Sequence, residues 1–212
     1  FIDIREVFRP ITKWNCRVTR PEAIPELVRW AFKPAQMEKP GPTHIELPED
    51  VAAWEVEAEP LEVTPITYAE PSSQSLRQAA ALLQEASYPM IIAGHGVIRR
   101  QASRELTHLV RKLRIPVAQT FMGMGGVDYR EPCSLLTVGL HQRDWVMCGL
   151  ERADVVLAVG YDQVEYEPCH WNPERKKKII HIDTLPSQVD EHYMPQVEIV
   201  ADIKDSLQAL AK

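Results

Sequence analysis

The chain has 212 residues, 45% of them hydrophobic and 25% charged, which is the composition of an ordinary globular protein and excludes disorder, collagen and coiled coil as its main state. With 24 Lys and Arg against 30 Asp and Glu the net charge is −6, and no basic face is visible, so nucleic acid and anionic membrane are excluded as main partners in favour of a small molecule or another protein. No apolar run approaches the roughly 18 residues that span a bilayer. Cys16, Cys133, Cys148 and Cys169 show no CxxC spacing, and no signal peptide precedes them, which predicts a reduced, cytoplasmic setting. The seven histidines are dispersed, and Cys169-His170 beside His181 makes no recognisable zinc spacing, so packing or surface roles are expected for them. Residue 1 is Phe, entering directly into an apolar, strand-like run, which predicts a piece of a longer chain.

In chain order, a strand is predicted over Lys13 to Thr19, followed by a helix with Thr19 as N-cap and Pro21 near N1. Ile24, Leu27, Val28 and Ala31 form its apolar face, and it should stop near Pro34. A second strand runs from Thr43 to Leu47. Ten of the 17 prolines fall in the first 71 residues, and the acidic, Pro-punctuated stretch from Pro48 to Pro71 reads as an extended linker. Two strands and one helix cannot bury a core alone, so residues 1–50 are expected to be the tail of a partial α/β domain, 51–71 a linker, and 72–212 a second domain.

From Ser72 or Ser73, a predicted cap, the pattern becomes a regular alternation. A helix with Leu76, Ala79, Ala80, Leu82 and Leu83 inward leads to the strand Met90 to Ala93. A second helix (Leu106, Leu109, Val110, Leu113) precedes the strand Pro116 to Gln119. A Gly-rich loop, a short strand near Leu135 to Val138 and a helix over Arg143 to Arg152 come next. Strands at Val155 to Val159, Lys178 to Ile182 and Val197 to Ala201, and a helix from Ile203, close the chain. Near-continuous apolar strands between amphipathic helices predict an α/β, doubly wound, six-stranded parallel sheet covered on both faces.

Ligands of such sheets bind beyond the carboxyl ends of the strands. The residues expected there are Gly94 and Gly96 after the first strand, Thr120 after the second, His141 after the third, Gly160 after the fourth and Asp183 after the fifth. The glycines would let backbone amides approach a phosphate at a helix N-terminus, and Asp183 could hold a ribose hydroxyl or simply cap a turn. Arg99 stands where a dinucleotide fingerprint has its third glycine, so a tight strand-to-helix turn explains Gly94 and Gly96 equally well. No nucleophile elbow, Walker loop, HExxH or paired-carboxylate motif is present. These residues alone describe a nucleotide-sized crevice without catalytic machinery.

The run Pro10-Ile11-Thr12-Lys13-Trp14, followed by Lys39-Pro40-Gly41-Pro42-Thr43-His44-Ile45-Glu46-Leu47-Pro48-Glu49-Asp50-Val51, resembles the end of the pyrimidine-binding domain of thiamin diphosphate enzymes of the acetolactate synthase group. The remainder of the chain resembles their Rossmann-like central domain, in Ile92 to Gly96, Ala153 to Asp162 and Ile179 to Asp183. Gly160-Tyr161-Asp162-Gln163-Val164-Glu165-Tyr166 with Trp171-Asn172 is most similar to the catabolic members. The resemblance covers essentially the whole chain.

It implies a parent enzyme in which a thiamin ylid attacks pyruvate, carbon dioxide leaves, and the carbanion adds to a second 2-keto acid, with thiamin diphosphate and magnesium as cofactors. It further implies a homodimer or homotetramer in which the remaining domains of the same chain are the partners. The family's activating carboxylate lies upstream of this start, and no Gly-Asp-Gly metal motif occurs in the chain, so no catalytic or metal-ligating residue is expected and the piece should be silent. FAD is not expected either. Where flavin-holding relatives carry Gly-x-Arg-Phe-Asp-Asp-Arg, alignment on Gly160 places Asp162 at the first arginine and Glu165-Tyr166 at the end. Each close unit-charge pair at about 4 Å interacts by roughly 4 kcal/mol at an effective dielectric near 20, and a carboxylate facing a diphosphate exchanges that attraction for repulsion. The alternatives are an FAD or ADP binding module, or the central domain of a 2-keto-acid decarboxylase or glyoxylate carboligase.

Overall fold

The computed structural model describes residues 2–139 and 145–212. The chain divides into two compact units, Phe1–Thr67 and Tyr68–Lys212.

In the first unit the opening run is a helix, α1 (Ile4–Phe8), where a strand-like run is expected from the sequence. Asp3 decides the matter: its carboxylate accepts the Glu6 amide at 3.2 Å, satisfying an otherwise orphaned donor, and Glu6 pairs with Arg9 at 3.1 Å one turn on. Strand β1 (Trp14–Arg17) follows. The chain then turns through a 3-10 turn, Pro21–Ala23, into α2 (Ile24–Gln36), so Arg20 rather than Thr19 stands at the entry. Pro34 does not end α2. It removes only its own donation to the preceding turn, and the Met37 amide still closes onto the Lys33 carbonyl at 3.1 Å. Strand β2 (Thr43–Glu46) pairs in parallel with β1, from Trp14 opposite Thr43 to Arg17 opposite Glu46. A single turn, α3 (Glu49–Ala52), lies where linker is expected, with Glu49 and Asp50 at its positive end. Residues 55–72 form neither helix nor strand.

The second unit opens with α4 (Ser73–Glu85); Ser72 holds the N-cap position but its side chain makes no capping bond. In order come β3 (Pro89–Ala93), α5 (His95–Arg99), α6 (Ser103–Leu113), β4 (Val117–Gln119) and β5 (Ser134–Thr137). They are succeeded by α7 (Trp145–Arg152), β6 (Val155–Val159), α8 (Pro168–Trp171), β7 (Lys178–Asp183), β8 (Val197–Val200) and α9 (Ile203–Leu210). The start predicted for α7 at Arg143 lies outside the described residues.

The six strands form one parallel sheet in the order β5-β4-β3-β6-β7-β8. Side chains alternate between two cores. Ile91, Leu157, Ile180 and Ile199 face Leu106, Leu109 and Leu207 on one side. Met90, Ile92, Val156 and Ile179 face Leu150, Trp171 and Tyr193 on the other. All five residues of β6 are buried, as a strand covered by helices on both faces requires. The direction of winding reverses between β3 and β6, so the crevice beyond their carboxyl ends is the place where a sheet of this kind receives a ligand.

Candidate functional site

At that crevice three glycines interlock. The Gly94 amide donates to Val159 O at 2.9 Å and the Gly96 amide to Gly160 O at 2.8 Å, which draws the turn after β3 onto the turn after β6. Gly160 has φ +54°, a left-handed conformation that favours glycine, and a Cβ there would lie 2.6 Å from Gly96 Cα and from Val97 N. A Cβ on Gly94 or Gly96 would meet the Gly160 backbone at 2.5 Å. The glycines therefore serve the approach of one backbone to another. The space they leave is filled by protein.

The amide that opens α5 is already occupied. His95 N donates to both oxygens of the Glu165 carboxylate, at 3.1 and 3.3 Å, and the buried Thr120 hydroxyl donates to Glu165 Oε2. Thr120 Oγ1 in turn accepts the Gly123 amide at 3.1 Å. A chain carboxylate thus takes the position in which a phosphate would meet a helix N-terminus. Asp162 accepts the Val164 amide at 3.4 Å within the turn that leads to Glu165.

Asp183 is buried, and its Oδ1 accepts the Thr184 amide at 2.6 Å and the Thr184 hydroxyl at 3.1 Å, so it orders the turn after β7. His141 lies outside the described residues. Gly94, Gly96, Thr120 and Gly160 are brought together; Asp183 is bonded within its own turn. Beneath them Tyr161, Trp171, Tyr193 and His181 form a buried aromatic cluster. The Tyr161 hydroxyl accepts Trp171 Nε1–H at 3.2 Å and donates to the Tyr166 carbonyl. His181 Nε2 is 3.1 Å from the Leu185 carbonyl, which can only accept, so that nitrogen carries a proton, and Nδ1 lies 2.8 Å from the Tyr193 hydroxyl. Burial pushes both phenols well above their ordinary range, so they act as neutral hydrogen-bonding groups.

Comparison with known proteins decides the family. The family model for the thiamine pyrophosphate enzyme, central domain, matches residues 76–210. The chain belongs to that family. It is 37% identical over 221 residues to a Methanocaldococcus jannaschii protein named "Probable acetolactate synthase large subunit", covering 99% of this chain and 37% of the relative. It is 29% identical over 208 residues to the acetolactate synthase of Bacillus subtilis, covering 97% of this chain and 36% of that protein. Against the catabolic acetolactate synthase of Raoultella terrigena the identity is also 29%, over 214 residues, with 100% and 38% of the two chains covered. In fold it is similar to a Mycobacterium smegmatis protein assigned as a thiamin diphosphate-dependent enzyme, with TM-score 0.81 at 21% identity over 99% of this chain and 40% of that one. The chain thus spans a little over a third of the length of the curated relatives it matches.

The family implies thiamin diphosphate as the cofactor of its enzymes. Magnesium with a diphosphate needs converging oxygen ligands. Among the described residues one group of three metal-type side chains converges, Glu167, Cys169 and His170, and its donors are mixed oxygen, sulfur and nitrogen. The chain contains no Gly-Asp-Gly. At the crevice Glu165 bonds the His95 amide and the Thr120 hydroxyl, and the backbones of Gly94, Gly96 and Gly160 approach closely. Sequence reasoning placed Glu165 at the end of the motif that opens at Gly160 but not its partners, His95 N and the Thr120 hydroxyl. The only signal of that contact was a carboxylate five residues after Gly160, with nothing local to connect it to Thr120, 45 positions away.

Proposed function

We propose that this chain is the scaffolding central part, with a preceding α/β portion, of a thiamin diphosphate enzyme of acetolactate synthase type. The whole protein would decarboxylate pyruvate and join the resulting carbanion to a second 2-keto acid. Within it, residues 72–212 act as the rigid central domain, 51–71 as connector and 1–50 as the end of the pyrimidine-binding domain. The partners are the other domains of the same polypeptide and a second copy in a homodimer or homotetramer, in the cytoplasm. The crevice at the β3–β6 reversal is flavin-free in this reading, and the chain holds neither thiamin diphosphate nor magnesium.

One observation carries the proposal: Glu165, bonded to His95 N and Thr120, supplies from within the chain the negative charge that a nucleotide would otherwise bring. The similarity to acetolactate synthases over nearly the whole chain supports the choice of reaction. The test compares this chain with the full gene product, each given pyruvate, thiamin diphosphate and magnesium. The expected result is acetolactate from the full product and none from the 212-residue chain. Carbon dioxide release by the chain above a no-protein blank would overturn the scaffold assignment. A full product that released acetaldehyde, or that joined glyoxylate instead of pyruvate, would overturn the acetolactate assignment.

A further inference from the structure

Two residues beyond Glu165, α8 gathers three side chains of different donor chemistry on one turn, with Glu167 and His170 exposed and Cys169 half-buried. Glu167 stands at its N-cap, Cys169 at its second position and His170 at its third. Cys169 Sγ and His170 Nε2 each lie 3.6 Å from the same oxygen, Glu167 Oε2, and the three ligand atoms all fall within 4.8 Å of one another. A tetrahedral zinc ion bound at about 2.3 Å to sulfur and about 2.0 to 2.1 Å to nitrogen and oxygen sets donor-to-donor edges of roughly 3.3 to 3.5 Å. The two separations to Glu167 need to change by only a few tenths of an ångström to accept one.

The turn is held in place independently of any ion. Pro168 and Trp171, the first and last residues of α8, are buried, and Trp171 Nε1–H is bonded to Tyr161. The Tyr166 ring packs at 5.6 Å from the His170 ring. The Glu167 carboxylate beside Cys169 and His170 supplies negative charge that attracts a divalent cation.

We propose that Glu167, Cys169 and His170 form a zinc-binding site with three protein ligands and a fourth position open to water. The mixed sulfur, nitrogen and oxygen set suits zinc and its near neighbours and disfavours magnesium or calcium, whose ligands are oxygens. On binding, the Cys169 S–H proton passes to solvent and the thiolate forms the bond to the metal. The site is independent of the acetolactate assignment, and its test does not measure turnover.

The probe is Co2+, added to the reduced, chelator-treated chain and followed by absorption spectroscopy. The expected result is a saturable one-to-one thiolate-to-cobalt charge-transfer band with visible bands of a tetrahedral ion, both removed by added Zn2+. Cys169→Ser should abolish the charge-transfer band while keeping the metal-free melting curve and far-ultraviolet circular dichroism of the parent. His170→Ala should weaken binding by at least about tenfold. Cys148→Ser, which alters an exposed cysteine on α7, should leave the band unchanged. The proposal is overturned by the absence of a band, by its survival in Cys169→Ser, or by its loss in Cys148→Ser.

Discussion

The two parallel sheets of this chain have opposite surroundings. Every residue of β6 is buried and both of its faces meet helices, whereas all four residues of β2 are half-buried and its sheet has two strands. In the first unit Val18, Ala31 and Val51 are the only buried hydrophobic residues among those described, while Trp30, Phe32 and Trp54 are more than half exposed. An apolar cavity of about 550 Å³ lies open between α2 and the chain around Leu61 and Val63. The contrast teaches that parallel pairing does not by itself bury apolar surface; the covering layers do.

The most damaging way to break the well-covered unit is at its glycine contact. Gly160→Val would place a branched side chain at a positive φ, at about 1–3 kcal/mol, and push apart backbones that already touch, adding a similar or larger amount. On the order of 5 kcal/mol approaches the whole stability of a domain. The expected outcome is loss of soluble protein or of a cooperative melt, and a variant melting within a few degrees of the parent would show that the contact is not required.

The comparison is sharpened by matched truncations. Leu157→Ala in β6 should cost about 2–5 kcal/mol, because the fully buried site cannot refill. Ile45→Ala in half-buried β2 should cost roughly 1 kcal/mol. Denaturant titrations giving equal losses would contradict the contrast between the two sheets. Hydrogen exchange offers a gentler form of the same test. The amides of β6 should exchange only on global unfolding, and those of β1 and β2 by smaller openings, so that uniform protection across both sheets is the outcome that counts against it.

The smallest expected effect is electrostatic. Burial pushes the Asp154 carboxyl upward, but bonds from the Ser87 and Tyr88 amides, at 2.7 and 2.9 Å, outweigh it and hold the group below its ordinary value. A carboxyl depressed on folding contributes stability above its unfolded pKa and loses it as pH falls through the folded one. Stability should therefore decline progressively from about pH 5 downward, and Asp154→Asn should flatten part of that slope in melts recorded across the range.

Much of the second unit was legible because strands buried on both faces read as near-continuous apolar runs: Met90 to Ala93, Val155 to Val159 and Lys178 to Ile182 match β3, β6 and β7 closely. What escaped depended on single local bonds or on distant ones. The Asp3 cap turns the opening run into α1, and α2 runs on past Pro34. One-turn helices such as α3 and α8 are too short to show a period. At the site, the residue types at the strand ends were readable, but the occupant of the crevice was not. The bond between Glu165 and Thr120 arises only once β4 and the loop after β6 are folded beside each other. Asp183 was open to either of two readings, since an acid at a strand end has the same sequence signature whether it binds a ribose or caps a turn, and the structure shows it bonded to Thr184.

The central proposal is that the chain's own carboxylate closes the crevice to a dinucleotide. The most direct measurement is a fluorescence-quenching titration of the purified 212-residue chain with FAD, beginning from its visible spectrum as isolated. A colourless protein and no saturable quenching at micromolar FAD are the expected results. A yellow protein, or saturation in the micromolar range, would contradict the claim and require Glu165 to leave His95 and Thr120.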